Sequence, residues 1–297
     1  MKTYINPIDV KGGDPFILLH NGMYYLYGTN SPDGFLVSSS PDMVNWRQEG
    51  FALHRDNAIG TEKFYAPEVI FHKGKFYMVY ASNEHLALAV ADSPLGPFTQ
   101  NEKRYLNEKE REIDGHLFVD DDGCVYIYFV RIVKGLGNVL YGAQISDDFL
   151  SYKNAREILR AQLPWETVLG SVTEGPFMLK KDGLYYLMYT ANDFRCKDYA
   201  VGYALSSSPL DGFTKHENNP ILIKNGPIMG TGHNSVTASR DGRELFIVYH
   251  CHNSENSVNP RLLCIDRMGF EKDLSGKTVI SVKGPTFTPS PYPSGCE

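Results

Sequence analysis

The chain has 297 residues, enough for one large all-β domain or for two smaller ones. Hydrophobic residues make up 42% and charged residues 22%, which is ordinary for a soluble globular protein, and no apolar run has the length of a transmembrane helix. The formal net charge of −6 argues against a general affinity for nucleic acid or for anionic membranes.

The N-terminal segment lacks the apolar stretch and the small-residue cleavage site of a secretory signal, so a cytoplasmic location is expected. A secreted or periplasmic location is the alternative if an export signal has been removed. The five cysteines have no metal-finger spacing, and free thiols in a reducing compartment are the simplest interpretation. These cysteines are Cys124, Cys196, Cys251, Cys264 and Cys296.

Five times along the chain, a hydrophobic run passes through a glycine turn into a second extended segment, usually rich in tyrosine. The turn glycines recur at intervals of 49 to 60 residues. A period of this size in strand-forming segments indicates a propeller or another array of supersecondary units. The five stretches are GGDPFILLHNGMYYLYGT, YAPEVIFHKGKFYMVYAS, IDGHLFVDDDGCVYIYFV, TEGPFMLKKDGLYYLMYT and GHNSVTASRDGRELFIVYH.

Each repeat continues into a further extended stretch, in which apolar and small polar residues alternate with the period of two that is typical of half-buried strands. The charged run at 101–112 is interpreted as a solvated loop, and the acids of DDDG at 120–123 as a solvent-facing hairpin turn. We therefore predict a single domain over residues 1–297, an all-β five-bladed β-propeller with four-stranded blades. The proline-rich segment 280–297 is predicted to be an irregular C-terminal tail.

Three of the five repeats carry an acid at the head of the hydrophobic run. Asp14, Asp114 and Glu174 are interpreted as equivalent positions in repeats one, three and four. Because the first strand of each propeller blade lines the central channel, ring symmetry would bring these carboxylates to one mouth of it. Each acid alone could be a turn residue, since Asp is common before Gly or Pro. Three acids in register, with Ala66 and His233 in the other two repeats, favour a chemical role.

The three acids suit glycoside hydrolysis, in which two carboxylates face each other across a sugar. One is protonated and donates to the leaving oxygen, while the other is ionised and activates water. Glu174 has apolar neighbours in TEGPF, which favours a raised pKa and the acid role. Asp14 follows two glycines, which would leave its approach open and suits a base that reaches water. A third acid nearby, Asp114, would raise a partner's pKa through like charge.

The blocks GGDPF, IDGH and TEGPF, followed by GTGHNS, resemble the signature blocks of glycoside hydrolase family 43. The resemblance extends from Asp14 to the IDRM segment near 268. It implies a five-bladed β-propeller and an inverting enzyme that acts on arabinan or xylan. By position, it implies that Asp14 is the general base and Glu174 the general acid. Asp114 would tune the pKa of Glu174 and hold it in place.

The resemblance also implies residues of the sugar pocket. Tyr65 and Ala66 fall where many members have Trp-Ala-Pro, so Tyr65 is expected to stack on a sugar face in place of Trp. Arg261 matches a late arginine that contacts the terminal sugar; a plain surface arginine is the alternative.

One histidine is expected at the channel centre. His233 matches a residue that often orders a calcium ion through water in this family, and a simple hydrogen-bonded histidine is equally compatible with the sequence. No cofactor is expected to be required beyond this candidate calcium ion. His250 and His252 are expected to be polar channel residues without a metal-binding role.

The expected substrate is an arabinose- or xylose-containing oligosaccharide or polysaccharide. An exo-acting α-L-arabinofuranosidase is the first expectation and a β-xylosidase the second, since many family members that release xylose carry an appended sandwich domain that is not seen here. Endo-action on arabinan or xylan stays open. A glycoside phosphorylase would require a basic phosphate cluster near the acids, and none is evident in the signature blocks. A carbohydrate-binding propeller without catalysis would not require a general acid, so the presence of all three acids argues against it.

Overall fold

The computed structural model describes residues 2–296, and within them the chain forms strands and turns with two 3₁₀ helices of three residues each. The strands group into small antiparallel sheets around a central channel, which confirms the single-domain five-bladed β-propeller. None of the helices among these residues is long and apolar enough to cross a lipid bilayer.

The strands are numbered in chain order, and each blade takes consecutive strands. Before blade one lie β1 (Thr3–Tyr4) and β2 (Ile8–Lys11). Blade one has β3 (Gly13–His20), β4 (Met23–Thr29), β5 (Gly34–Ser40) and β6 (Arg47–His54). Blade two has β7 (Tyr65–His72), β8 (Lys75–Ser82) and β9 (His85–Ala91). Blade three has β10 (Glu112–Val119), β11 (Val125–Val133), β12 (Gly137–Ile145) and β13 (Tyr152–Arg160).

Blade four has β14 (Thr173–Lys181), β15 (Leu184–Ala191), β16 (Ala200–Ser206) and β17 (Thr214–Lys215). Blade five has β18 (Gly232–Ala238), β19 (Leu245–Cys251), β20 (Leu262–Lys272) and β21 (Thr278–Val282), and a last short strand is β22 (Ser290–Pro291). The 3₁₀ helices are Arg55–Asn57 and Pro164–Glu166.

The ring closes through the N-terminal segment, a feature that the repeat pattern does not predict. Strand β2 pairs with β20 of blade five, with Ile8 opposite Leu263, so residues from the start of the chain complete the last blade. The first strands of neighbouring blades contact one another around the ring, and β18 of blade five contacts β3 of blade one. The heads of all five first strands therefore lie at one mouth of the channel.

Blade two has three strands rather than the four predicted. Its outer edge is a single bridge between Val90 and Thr99. Pro94 and Pro97 lie in the segment that would form the fourth strand, and proline has no N–H to continue a ladder of hydrogen bonds.

The segment 280–297 is less irregular than predicted. The β-favouring run Thr-Val-Ile-Ser-Val forms β21, in which Ile280 lies opposite Phe270 of β20. Strand β22 pairs with β1, with Ser290 opposite Tyr4. Glu297 lies outside the described residues.

Two acids that were predicted to be solvated are buried. Glu112, from the charged run, accepts hydrogen bonds from Arg131 Nη2 at 2.6 Å and from the Tyr152 hydroxyl at 2.5 Å. Asp120, from the hairpin turn, accepts from the Tyr185 hydroxyl at 2.5 Å and pairs with Lys180. Both exceptions have the same reason, since a buried carboxylate is tolerated where a cation and a hydroxyl satisfy it.

The tyrosines of the second strands fill the wedges between blades. Nine of the largest fully buried side chains are tyrosines, among them Tyr27, Tyr80 and Tyr128. Their rings supply apolar area in the core, while a hydroxyl such as that of Tyr128 donates to the carbonyl of Pro209 at 2.7 Å. The tyrosine richness of the sequence is therefore explained by packing between blades.

Candidate active site

Each blade has an irregularity at the same place near the head of its first strand. Pairing with the second strand breaks for two residues, as between Gly13 and Phe16 in blade one and between Glu174 and Phe177 in blade four. One residue in each break has a positive φ of 43° to 56°, a left-handed conformation that is uncommon for residues other than glycine. In blade order these residues are Asp14, Ala66, Asp114, Gly175 and His233.

This register corrects the predicted equivalence of the three acids. Asp14 and Asp114 occupy the left-handed position of their blades, whereas Gly175 holds it in blade four. Glu174 lies one residue earlier, opposite Thr190, at the position that Gly13 takes in blade one. Because successive strand residues point in different directions, Glu174 approaches the site differently from the two aspartates.

Asp14 lies in a polar pocket made by blades one and five. Arg261 donates from Nη1 to Asp14 Oδ1 at 2.6 Å and from Nη2 to Oδ2 at 3.2 Å, and the Thr29 hydroxyl donates to Oδ2 at 2.5 Å. His233 Nδ1 lies 3.2 Å from Asp14 Oδ1. Burial opposes the charged form of Asp14, but Arg261, the two nearby histidines and Thr29 outweigh it and hold its pKa well below the usual range. Asp14 is therefore an ionised carboxylate.

Gly13 makes the contact between Asp14 and Arg261 possible. A Cβ atom on Gly13 would lie 1.9 Å from the guanidinium carbon of Arg261. The glycine was predicted to leave an approach open for water; in the structure it makes room for the arginine instead.

Glu174 has neutral partners. Its Oε1 accepts from the Tyr199 hydroxyl at 2.6 Å and its Oε2 accepts from Asn138 Nδ2 at 3.2 Å. Burial, with smaller contributions from the charges of Asp14 and Asp193, raises the pKa of Glu174 to about 7, although the Tyr199 hydrogen bond opposes this rise. The raised pKa predicted for Glu174 is thus confirmed, and a protonated carboxyl is available near neutral pH.

Asp114 links the two other acids. Its Oδ2 accepts from the backbone N–H of Gly175 at 3.3 Å and lies 3.9 Å from His233 Nδ1. Burial, together with the charges of Glu174 and Asp14, raises the pKa of Asp114 well above the usual range. The three predicted acids are therefore brought together, with Asp114 holding the backbone next to Glu174.

A further contact repeats around the ring and was missed by the sequence analysis. In three blades, the last or next-to-last residue of the second strand accepts a hydrogen bond from the backbone N–H of the left-handed residue in the next blade. Thr29 accepts from Ala66 at 3.0 Å, Thr190 from His233 at 2.8 Å, and His250 Nδ1 from Asp14 at 3.1 Å. The similar segments YGT, MYT and VYH, at or next to the ends of these strands, are the signal that could have identified this contact.

The three residues predicted to line the sugar pocket have different surroundings in the structure. Arg261 is mostly buried against Asp14, with its guanidinium 5.0 Å from the Phe194 ring centroid, so it is not a plain surface arginine. Tyr65 is half-buried at the channel mouth, and its stacking on a sugar stays a prediction. Ala66 is only 2% exposed and contributes its backbone N–H to Thr29, so its methyl group does not form an open pocket wall.

Comparisons with known proteins identify the family. The model of the glycosyl hydrolases family 43 matches residues 4–274. The solved structure of a thermostable family-43 glycoside hydrolase is 42% identical, with a TM-score of 0.89, over 99% of this chain and 100% of that chain. The structure of an endo-1,4-β-xylanase from Bacteroides thetaiotaomicron VPI-5482 is 38% identical, with a TM-score of 0.87, over 96% and 97% of the two chains.

Curated relatives are more distant. A β-D-galactofuranosidase of Aspergillus niger is 28% identical over 287 residues, covering 87% of this chain and 79% of that protein. Relatives named as arabinofuranosidases, an arabinofuranohydrolase and a xylosidase are 23–29% identical, and the chain spans 56–61% of their length. The family model, the propeller and the signature blocks agree, and the chain belongs to glycoside hydrolase family 43.

Proposed function

We propose that the protein is an inverting O-glycosyl hydrolase of arabinose- or xylose-containing saccharides, and in the first place an exo-acting α-L-arabinofuranosidase. The observation that carries this proposal is the opposite perturbation of two carboxyl groups that converge at one channel mouth. Asp14 is held ionised by Arg261, and Glu174 has a pKa of about 7. An ionised base and a protonated acid are the two states that single displacement requires.

In this mechanism Asp14 removes a proton from water as the water attacks the anomeric carbon, and Glu174 donates its proton to the departing oxygen. Asp14 accepts the water's proton, and Glu174 is left as a carboxylate that Tyr199 and Asn138 stabilise through their hydrogen bonds. The expected separation of the two carboxyl groups is about 6.5–9.5 Å, because the attacking water lies between base and sugar.

Two amide variants test the two roles. Asp14→Asn should lower kcat by roughly 10²–10⁴-fold on every substrate, since no base remains. Glu174→Gln should lower kcat by a similar factor on oligosaccharides but much less on 4-nitrophenyl pentosides, because 4-nitrophenolate leaves with little need of protonation. Rates on both substrate types, with circular dichroism to verify folding, separate the two outcomes. A Glu174→Gln enzyme with the same loss on both substrates contradicts the acid role.

A second substrate class has support from a specific comparison. The structure that is 38% identical over nearly the full length is named as an endo-1,4-β-xylanase. Action on xylan is therefore the alternative, either by a β-xylosidase at the end of the polysaccharide or by an endo-acting enzyme in its interior. Release of 4-nitrophenol from the arabinofuranoside or the xyloside, together with the product sizes of arabinan and xylan digests, distinguishes these activities. NMR of the first-formed anomer reports inversion. No turnover of any of these substrates would contradict the proposal and favour a binding propeller.

The calcium ion suggested by the resemblance stays a proposal. Calcium prefers six to eight oxygen ligands, and the described residues contain no group of three or more His, Cys, Asp or Glu side chains arranged to hold a metal. His233 would therefore act only through water molecules, and no step above depends on the ion. A rise in Tm on adding calcium to chelator-treated protein, absent in His233→Asn, would support it.

A further inference from the structure

Three large apolar side chains are exposed in the two connections next to Glu174, on the face of the propeller that carries the acids. Leu136, Val168 and Leu169 are 41%, 58% and 56% exposed. Leu136 lies in the turn between β11 and β12, and the other two lie in the loop between β13 and β14. Both connections are at the same end of the blades as the head of β14, where Glu174 lies. We call these three residues the rim patch.

The turn that carries Leu136 is fixed to Glu174. Two residues after Leu136, the Asn138 side chain donates to Glu174 Oε2 at 3.2 Å. The backbone N–H of Asn138 also donates to the carbonyl of Ser171 at 3.1 Å. A Cβ atom on Gly137 would lie 2.0 Å from that carbonyl oxygen, so the turn packs directly against the loop before β14.

The loop that carries the other two residues is fixed to the same region. The backbone N–H groups of Val168 and Leu169 donate to Oδ1 of the fully buried Asn192, at 2.6 and 3.4 Å. Asn192 precedes Asp193, whose charge contributes to the raised pKa of Glu174. The polar backbone groups are thus bound to the protein, while the side chains of Val168 and Leu169 stay in solvent.

The position of the acid determines what part of a substrate reaches this patch. A general acid protonates the leaving oxygen, so the leaving group lies on the Glu174 side and the attacking water on the Asp14 side. The Asp14 side carries Arg261 and the buried histidines, whereas the Glu174 side ends in the rim patch. Aliphatic side chains favour a ring with C–H faces over a small or fully hydrated group.

We propose that the rim patch is the leaving-group subsite and that it takes a pyranose ring. We assign this ring to a xylopyranose unit of the substrate, because the structure that is 38% identical over nearly the full length is named as an endo-1,4-β-xylanase. This inference rests on the proposed function, because it uses the acid role of Glu174. It adds a specificity determinant that the signature blocks do not contain. Single exposed apolar residues are common on protein surfaces, so a matched control is required.

The experiment uses two substrates with the same pentosyl glycone, one with a xylopyranose leaving group and one with a methyl leaving group. In Val168→Ser/Leu169→Ser, kcat/KM should fall about tenfold for the xylopyranose substrate, because apolar burial of the ring is lost, and less than twofold for the methyl pentoside. The control is Val119→Ser/Leu184→Ser, which changes the same residue types, 38% and 36% exposed, at the opposite end of the blades. It should change neither value.

Three results would overturn the subsite: an equal fall in kcat/KM on both substrates, no fall on either substrate, or the same fall in the control variant. If kcat/KM stays unchanged on both substrates while light scattering shows that the rim-patch variant changes from dimer to monomer, the patch serves self-association instead. A wild-type enzyme that cleaves neither substrate contradicts the proposed function rather than the patch. Calorimetric binding of xylotriose then decides: binding weakened only by the rim-patch variant supports the subsite, and binding equal in all three proteins overturns it.

Discussion

The surroundings of Asp14 and Glu174 differ although both carboxyl groups lie at the same mouth of the channel. Asp14 contacts an arginine in two hydrogen bonds, a threonine hydroxyl and a histidine. Glu174 contacts a tyrosine hydroxyl and an asparagine amide, and the carboxylate Asp193 is among its electrostatic neighbours. Burial disfavours the charge on both groups, so the charge of the partner decides which group ionises. A paired cation favours the ionised form that a general base requires, and neutral partners near like charge favour the protonated form that a general acid requires.

Among changes to the partners of the two acids, the largest expected effect comes from displacing the cation that pairs with Asp14. In Gly13→Ala the new methyl group would occupy the position of the Arg261 guanidinium, whose carbon lies 1.9 Å from an ideal Cβ. Displacing the arginine should lower kcat/KM about 10²-fold, as misplacement of a catalytic group by about 1 Å commonly does. It should also move the acid limb of the pH profile to higher pH, because the pKa of Asp14 rises without the cation.

Gly269→Ala is the matched control, since nothing lies within 4 Å of its Cβ position and its φ is not positive. Activity and thermal melting should both stay near the wild-type values. If Gly13→Ala keeps the wild-type acid limb, Arg261 is not what holds Asp14 ionised.

The next largest effect concerns the pKa of Glu174, which is expected to rise when its hydrogen bond from Tyr199 is removed. Tyr199 donates to Glu174 and stabilises its charged form, which lowers the pKa of Glu174. In Tyr199→Phe that pKa should rise above about 7, by about one unit for the loss of one hydrogen bond to a charged group. Since Glu174 acts when protonated, the alkaline limb of kcat/KM should move to higher pH. A limb that stays in place would assign it to another group.

The smallest expected effect has the opposite sign. Asp193 raises the pKa of Glu174 through like charge, and its own pairing with Arg195 weakens that influence. In Asp193→Asn the alkaline limb should move to lower pH by about a few tenths of a unit, and the shift should shrink as salt screens the interaction. A pH titration of kcat/KM at two ionic strengths measures it. A shift to higher pH would exclude like-charge repulsion as the cause.

The site was predictable where one repeat could be compared with another. The blocks around Asp14, Asp114 and Glu174 share a period, and ring symmetry brings them together, as predicted. The one-residue offset of Glu174 was not predictable, because it depends on which residue of each strand break takes the left-handed backbone. The sequence motif places an acid at the head of the strand without defining that register.

The hydrogen-bond partners of the acids were harder to predict from the sequence. Thr29 follows Asp14 by 15 residues and lies on the next strand of its blade, and Tyr199 follows Glu174 by 25 residues and lies directly before β16. No local pattern ties a threonine or tyrosine hydroxyl to one carboxylate, and the chain contains 19 tyrosines that could serve. Arg261 was identified as a site residue, but its contact with Asp14 crosses 247 positions of sequence.

The sequence alone determined the number of blades, the strands that line the channel and the residues whose carboxylates meet there. Those conclusions rest on periodicity and composition, which are visible in the sequence without any knowledge of how the blades pack against one another. Only the tertiary structure decided which acid is charged, because a pKa depends on burial and on partners brought from other blades. It also decided how the ring closes and which exposed apolar side chains lie near Glu174, since both depend on contacts between segments that are distant in the chain.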